Sequence, residues 1–200
     1  MYQNFFKRFL DIVISVFLFI ILLPLIVIII ISVYLVLGRP IFFIQTRAGK
    51  NGCPFSIIKF RTMKNKDNQY SNDKERETKF GNVLRKLSFD ELPELINVFL
   101  GQMSIVGPRP LYVEYNNLYN SDQKKRLTIR PGITGLAQIN GRNSIKWEEK
   151  FKYDLIYLRN INLIGDIRII LITFFQVINK KNINFSDSQT MPLFRGKHDE

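Results

Sequence analysis

From Ile12 to Leu37 the chain runs through twenty-six positions without a charged side chain, built mainly of Ile, Leu, Val and Phe. The run is too long, and lacks the small-residue cleavage signal, to be a removable leader. As a straight helix it would measure roughly 39 Å, more than the ~30 Å hydrocarbon core of a bilayer requires. A tilted spanning helix is the plain reading, and two features oppose it. Pro24 stands in the middle of the run, where proline removes a donor and clashes with the carbonyl four residues back, at a cost of ~3 kcal/mol. Lys7 and Arg8 precede the run, and Arg39, Arg47 and Lys50 follow it. Positive charge favours the cytoplasmic side, and a spanning helix can give that side to only one flank. A helix that enters, breaks at Pro24 and returns satisfies both features. Spanning helices also tolerate proline, so the residues alone leave both topologies open.

The remaining residues form one domain at most. An apolar share of 46% with 13% aromatics can pack a core, which excludes global disorder. A formal charge of +12 calls for an anionic partner. Nucleic acid, anionic lipid and phosphorylated substrates all qualify on charge, and the apolar N-terminus favours lipid and phosphate over nucleic acid. Cys53 is the only cysteine, so no internal disulfide can form, and a reduced cytoplasmic setting fits. His198 is the only histidine, which excludes histidine triads and multi-histidine metal sites.

Local patterns set the expected elements. Pro40–Gln45 and Phe55–Phe60 read as strands of a hairpin around the turn Gly49-Lys50-Asn51-Gly52. Residues 64–79 read as a polar loop, and residues 80–99 as helical material closed by Gly101. Another helix is expected within residues 114–126. Residues 129–143 carry Pro131, Gly132, Gly135 and Gly141 and read as a loop of demanding turns. Trp147–Arg159 and Leu163–Ile178 read as helices. The second is apolar but too short to span beside Asp166 and Arg168. Core packing is expected for it, with the bilayer interface as the alternative. From Asn182 onward the chain reads as a loose tail.

Two constellations carry chemistry. In Ser88-Phe89-Asp90-Glu91-Leu92-Pro93-Glu94, Ser88 and Glu91 match a capping box, which alone would make this an acidic helix start. The same geometry would hold a first-turn carboxylate ionised through the helix dipole and backbone amides. An ionised aspartate can attack phosphorus, or it can hold a magnesium ion bridging a diphosphate. The second constellation is cationic: Lys59, Arg61, Arg85, Lys86, Arg109, Arg130 and Arg142. Three of these arginines, at 109, 130 and 142, sit in Pro/Gly turns that restrict their placement. Planar guanidinium forks suit diphosphate oxygens and charge developing in a transition state. No Walker loop or dinucleotide-binding glycine signature is present, so a nucleotide must be held some other way.

At these residues the chain resembles the bacterial sugar transferase family, the monotopic polyprenyl-phosphate phosphoglycosyl transferases. The matching text is Lys59-Phe60-Arg61-Thr62-Met63, Leu87 to Pro93, Met103 to Pro110 and Arg130 to Gly135. Lys7-Arg8 with Asp11, the central Pro24 and Ala137 to Asn143 also match. The resemblance covers nearly the whole chain. It looks closest to the small enzymes that start protein N-glycan assembly by transferring diacetylbacillosamine phosphate. Three positions depart from the family pattern. Leu23 replaces a common serine before the proline, Glu94 stands where glutamine is frequent, and Gln102 replaces a frequent aspartate.

The resemblance implies a mostly helical α+β fold. A re-entrant membrane helix over residues 1–38, broken at Pro24, leads into a cytoplasmic-face catalytic domain over 39–185. That domain holds a short β-hairpin and interfacial amphipathic helices, and a tail covers 186–200. By the same resemblance Asp90 attacks the sugar-linked phosphorus of a UDP-sugar, and UMP leaves. Undecaprenyl phosphate then takes the sugar phosphate from Asp90. Magnesium, bound at least partly by Asp90, offsets the diphosphate charge, and Glu91 orients the metal or handles a proton. The expected setting is one leaflet of the bacterial inner membrane, on its cytoplasmic side. A UDP-linked N-acetylated sugar is the expected donor, diacetylbacillosamine first. A UDP-hexose transferase that initiates capsule or exopolysaccharide is the near alternative. A membrane-tethered lipid- or nucleic-acid-binding protein, or a structural anchor, is the alternative of another class.

Overall fold

The computed structural model of the protein describes residues 2–65, 72–141, 144–179 and 192–196. Its longest element is α1, Lys7–Leu37, a 31-residue helix with Pro24 inside it. The expected break does not interrupt the helical backbone: α1 continues through Pro24. Along α1 only Asp11, Ser15, Ile26, Ile29 and Val33 are buried. Phe9, Phe17, Ile20, Ile28 and Leu35 are among the many apolar side chains left exposed on it. Such a helix satisfies its own backbone but not its side chains, which is the signature of a lipid-facing element.

Both ends of α1 are fastened to the same domain. Near its start, Lys7 Nζ lies 2.6 Å from Asp166 Oδ2, and Arg8 donates to the carbonyls of Val98 (2.7 Å) and Phe99 (2.9 Å). One turn on, Asp11 Oδ1 accepts from Ser104 Oγ and from the Ile105 amide, both at 3.0 Å. At the far end, Arg61 Nη2 donates to the carbonyls of Leu37 (2.5 Å) and Gly38 (2.7 Å). Those are terminal carbonyls that a helix cannot satisfy itself. Between the two ends, Ile26, Ile29 and Val33 pack with Phe60 and Leu84.

The hairpin forms as expected: β1, Phe42–Ala48, pairs antiparallel with β2, Pro54–Phe60, from Phe42 opposite Phe60 to Ala48 opposite Pro54. The region expected as a loop after β2 contains regular structure. It holds a short helix α2, Asp73–Arg76, and Met63 bridges Glu77; residues 66–71 lie outside the described ones. The next helical stretch divides into α3, Lys79–Lys86, a 3-10 turn at Phe89–Glu91, and α4, Glu94–Phe99. Ser88 causes the division by adopting a left-handed backbone (φ 55°).

Beyond α4, β3 (Ser104–Val106) is followed by α5 (Ser121–Lys124), flanked by 3-10 turns rather than one long helix. The region expected as a loop contains β4, Gly132–Thr134, parallel to β3, and α6, Leu136–Ile139. Two longer helices complete the domain: α7, Trp147–Arg159, and α8, Leu163–Ile178. The core gathers Ile57, Val98, Met103, Val106, Tyr157 and Ile169 from five of these elements.

Of the two roles expected for α8, core packing holds for one face, where Ile169 joins the core, and not for the other. Only Asp166 and Ile169 are buried on α8. Ile164 (79% exposed), Ile167, Leu171, Phe174, Phe175 and Ile178 face outward. That stripe recurs at helical spacing on the side away from the core, as on helices lying at a bilayer interface. The tail expectation also changes, because Phe194 is buried.

Candidate active site

The backbone at the centre of the domain is arranged by glycines. Gly107 donates its amide to Thr134 O (2.8 Å), and Gly132 donates to Pro108 O (2.9 Å). A Cβ on Gly135 would stand 2.1 Å from Gly107 O, and one on Gly132 would stand 2.1 Å from Gly107 N. Side chains there would force the two segments apart. Their close approach carries the loop after β3 around to Pro108 and Arg109. Buried Arg126 fixes that loop by donating from Nη2 to Arg109 O (2.8 Å) while Nε bonds Asp154 (2.9 Å).

Arg109 points at the acidic turn. Its Nη2 lies 2.8 Å from Glu91 Oε1, and Lys59 Nζ, from the end of β2, lies 2.6 Å from the same oxygen. Burial pushes the Glu91 carboxyl up, but Arg109 and Lys59 outweigh it and hold Glu91 well below the usual carboxylate range. Lys59 also lies 3.0 Å from Glu94 Oε1, off the hydrogen-bonding direction, so that oxygen has no hydrogen-bond partner among the described residues. Burial, and Glu91 beside it, push Glu94 up to about 7 against the pull of Lys59. Asn97 locks this arrangement to the sheet. Its Oδ1 accepts from the Ile58 amide (3.1 Å), and its Nδ2 donates to Ser56 O (2.8 Å).

Asp90 differs from its neighbour. It lies in the same 3-10 turn, half-buried, and no side chain among the described residues bonds its carboxylate. Burial and the adjacent Glu91 push it up to about 6, against Lys59 and Arg109. This corrects the expectation of a carboxylate kept ionised by a helix N-terminus. Asp90 precedes α4, and Ser88 makes no side-chain cap, so the capping box is absent. The result is a division of labour: Glu91 is clamped by two cations, while Asp90 is free to meet a ligand.

Of the other cationic candidates, Arg61 is buried against the end of α1 and also bonds Asn65. Arg130 donates from Nε to Gly101 O (2.8 Å), beside the end of α4. Arg85 pairs with Glu77 (3.2 Å) and Asn82. Among the described residues none of the three touches Asp90 or Glu91; each is engaged with backbone carbonyls or side chains of the domain instead. Arg142 lies outside the described residues.

Two further polar side chains stand out in the structure that the sequence analysis did not single out as site residues. Lys150, on α7, is pushed down to about 8 by burial and by the charge of Arg109. Gln138, nearly buried on α6, has both amide atoms without a partner among the described residues.

No group of three potential metal-ligating side chains occurs among the described residues. Magnesium is held in many phosphoryl-transfer sites by one or two carboxylates plus substrate oxygens. The free carboxylate of Asp90 fits that mode.

A family model described as bacterial sugar transferase matches residues 2–180. An uncharacterized sugar transferase, EpsL of Bacillus subtilis, is 42% identical, with 96% of this chain aligned to 97% of that protein. UDP-glucose:undecaprenyl-phosphate glucose-1-phosphate transferase of Klebsiella pneumoniae is 40% identical over 88% of this chain and 41% of its own length. Galactosyl transferase CpsE of Streptococcus agalactiae is 44% identical over 70% of this chain and 35% of its own length. The chain thus spans well under half of these two longer relatives.

The two acids should respond oppositely to neutralisation. Glu91→Gln leaves Lys59 and Arg109 without their shared anion and should cost about 3 kcal/mol of unfolding free energy. In Asp90 the folded pKa is raised, so ionisation opposes folding above about pH 6 and ceases to do so below about pH 4. Asp90→Asn should therefore stabilise the protein by ~1–2 kcal/mol at pH 8, after allowance for partial exposure, and not at pH 4. Chemical unfolding in detergent at both pH values measures this; stabilisation by Glu91→Gln would contradict the clamp.

Proposed function

This chain belongs to the bacterial sugar transferase family, and on that premise we propose that it transfers a sugar 1-phosphate from a UDP-sugar to undecaprenyl phosphate at a membrane surface. The observation that carries the proposal is the unengaged carboxylate of Asp90 beside a Glu91 held by Lys59 and Arg109. Asp90 Oδ attacks the phosphorus bonded to the sugar, forming a P–O bond as the bond to UMP breaks. Undecaprenyl phosphate then displaces Asp90 from that phosphorus and restores the carboxylate. One diphosphate linkage replaces another, so the cycle needs no separate energy input.

Arg109 can orient a phosphate while keeping its hold on Glu91, since 46% of its side chain is exposed. Lys150, on α7, adds positive charge close enough for Arg109 to lower its pKa. Magnesium bound through Asp90 and substrate oxygens would supply further charge compensation to the diphosphate. Clamping Glu91 fixes the turn that carries Asp90, which favours a defined attack geometry.

The donor reading shifts with the relatives. The named activities concern glucose 1-phosphate in one relative and galactosyl transfer in another. A UDP-hexose donor, serving exopolysaccharide or capsule assembly, therefore moves ahead of the N-acetylated sugar expected from the sequence. Purified protein given UDP-glucose, UDP-galactose, UDP-N-acetylgalactosamine and UDP-diacetylbacillosamine, each with undecaprenyl phosphate, ranks them by UMP release. The expected order puts a hexose first, and Asp90→Asn should lower the rate by at least ~1000-fold. UMP release from none of the four would reject the transferase reading. Unchanged function in Asp90→Asn would favour the tethered binding protein instead.

We also propose that α1 enters and leaves through one leaflet, on the cytoplasmic side. The support is that Lys7, Arg8 and Asp11 near one end, and Leu37 and Gly38 at the other, all bond the same domain. A helix crossing the bilayer would carry one of these ends away from it. The outward apolar stripe of α8 supports the same shallow seat. In inverted vesicles, an impermeant maleimide should label both exposed Cys53 and, in a Cys53→Ser background, Gln3→Cys. Neither should be labelled in intact cells. Labelling from opposite sides would restore a spanning helix.

A further inference from the structure

Residues 192–196 return to the domain from a stretch that lies outside the described residues. They end in a pocket of four aromatic rings. Phe194 is 5% exposed, with ring centroids 5.1 Å from Phe151, 5.6 Å from Tyr115 and Trp147, and 5.8 Å from Tyr119. The polar groups of the pocket are also used. Trp147 Nε1 donates to Pro192 O (3.0 Å), and the Phe194 amide donates to Tyr115 Oη (3.2 Å). Side-chain packing and backbone hydrogen bonds together distinguish this from an accidental contact of a polar tail.

The opposite wall of the pocket leads to the acidic turn. The Tyr119 and Phe151 rings each lie 5.8 Å from the guanidinium carbon of Arg126. Arg126 holds Arg109 O, and Arg109 holds Glu91. Four contacts therefore run in series from Phe194 to the catalytic turn: ring on ring, ring on Arg126, Arg126 on the Arg109 backbone, and Arg109 on Glu91. Emptying the pocket removes the packing that keeps the two rings against Arg126.

We propose that Pro192–Gly196 is a strap, and that Phe194 is a positioning residue for Arg109, acting through the aromatic pocket and Arg126. This rests on the transferase reading only for its effect on rate. The ligand of the pocket is the protein's own C-terminal segment.

Trp147 is the only tryptophan of the chain, so its emission reports the occupant directly. In the full-length Phe194→Ala protein, Trp147 emission should shift to the red. Its kcat/KM for the UDP-sugar should fall on the order of tenfold, with KM for undecaprenyl phosphate unchanged. A synthetic peptide of residues 191–196 added to this variant should restore both emission and rate, and Phe194→Leu should retain most of each. If Phe194→Ala fails to fold, Phe194→Leu and Phe194→Met carry the same comparison, with graded shifts and rates expected. A red shift with no change in rate would overturn the positioning role. An unshifted emission would overturn the docking.

A double-mutant cycle on unfolding between Phe194→Ala and Arg109→Met reads the coupling whichever sugar is used. Non-additivity supports the strap, and additivity overturns it. A wild-type protein inert toward every UDP-sugar, yet with the emission shift and a coupled cycle, would sink the transferase reading and leave the strap standing.

Discussion

Removing a carboxylate from water costs several kcal/mol unless opposite charge and hydrogen bonds offset it. Around Glu91 that requirement determines how the domain comes together. Lys59 arrives from the end of β2, Arg109 from the loop after β3, and Glu91 and Glu94 from the turn and helix between them. None of these segments is long enough to place its side chain alone. The hairpin is held to α4 by Asn97, and the Arg109 loop is held by Arg126 and by a glycine contact with β4. Asp90 is the member of the acidic turn that these interactions leave unengaged. A group that destabilises the folded state by its own ionisation is what a nucleophile held ready requires.

The same economy of contacts governs α1. An apolar helix of 31 residues offers a membrane little specificity, and its polar fastenings supply the rest. Asp166 illustrates this, since it accepts from Lys7 (2.6 Å), Tyr2 (2.7 Å) and Tyr157 (2.7 Å) at once. Asp11 and Arg61 perform comparable tasks at other points along the helix. A lipid substrate keeps its phosphate at the interface and its tail in hydrocarbon. On the proposed seating by α1 and α8, the domain would meet one soluble and one lipid substrate without leaving the surface.

Much of this was legible in the residues. The helical reading placed α7 and α8 correctly to the residue, and two short apolar runs around the Gly49–Gly52 turn placed the hairpin. The parallel pair β3 and β4 was invisible because three-residue strands have no measurable period. They exist through backbone approach at glycines that sequence shows only as turn residues. A left-handed Ser88 could not be foreseen either, and it separates Asp90 from the helix expected to support it. Among the cations, sequence identified the right residue type but not the partner. Arg61 and Arg130 meet orphaned backbone carbonyls, which only the folded chain reveals. Phe194 was read as tail because Met191-Pro192-Leu193-Phe194 is too short an apolar run to carry a period.

The central claim is that the free oxygen of Asp90 becomes bonded to phosphorus during turnover. Rapid acid quenching of the protein mixed with its UDP-sugar alone, followed by proteolysis and mass spectrometry, tests it most directly. The account expects the peptide containing Asp90 to carry one sugar phosphate, with UMP released in equal amount. An unmodified peptide, with UMP appearing only once polyprenyl phosphate is added, would contradict it and favour direct transfer between the two substrates.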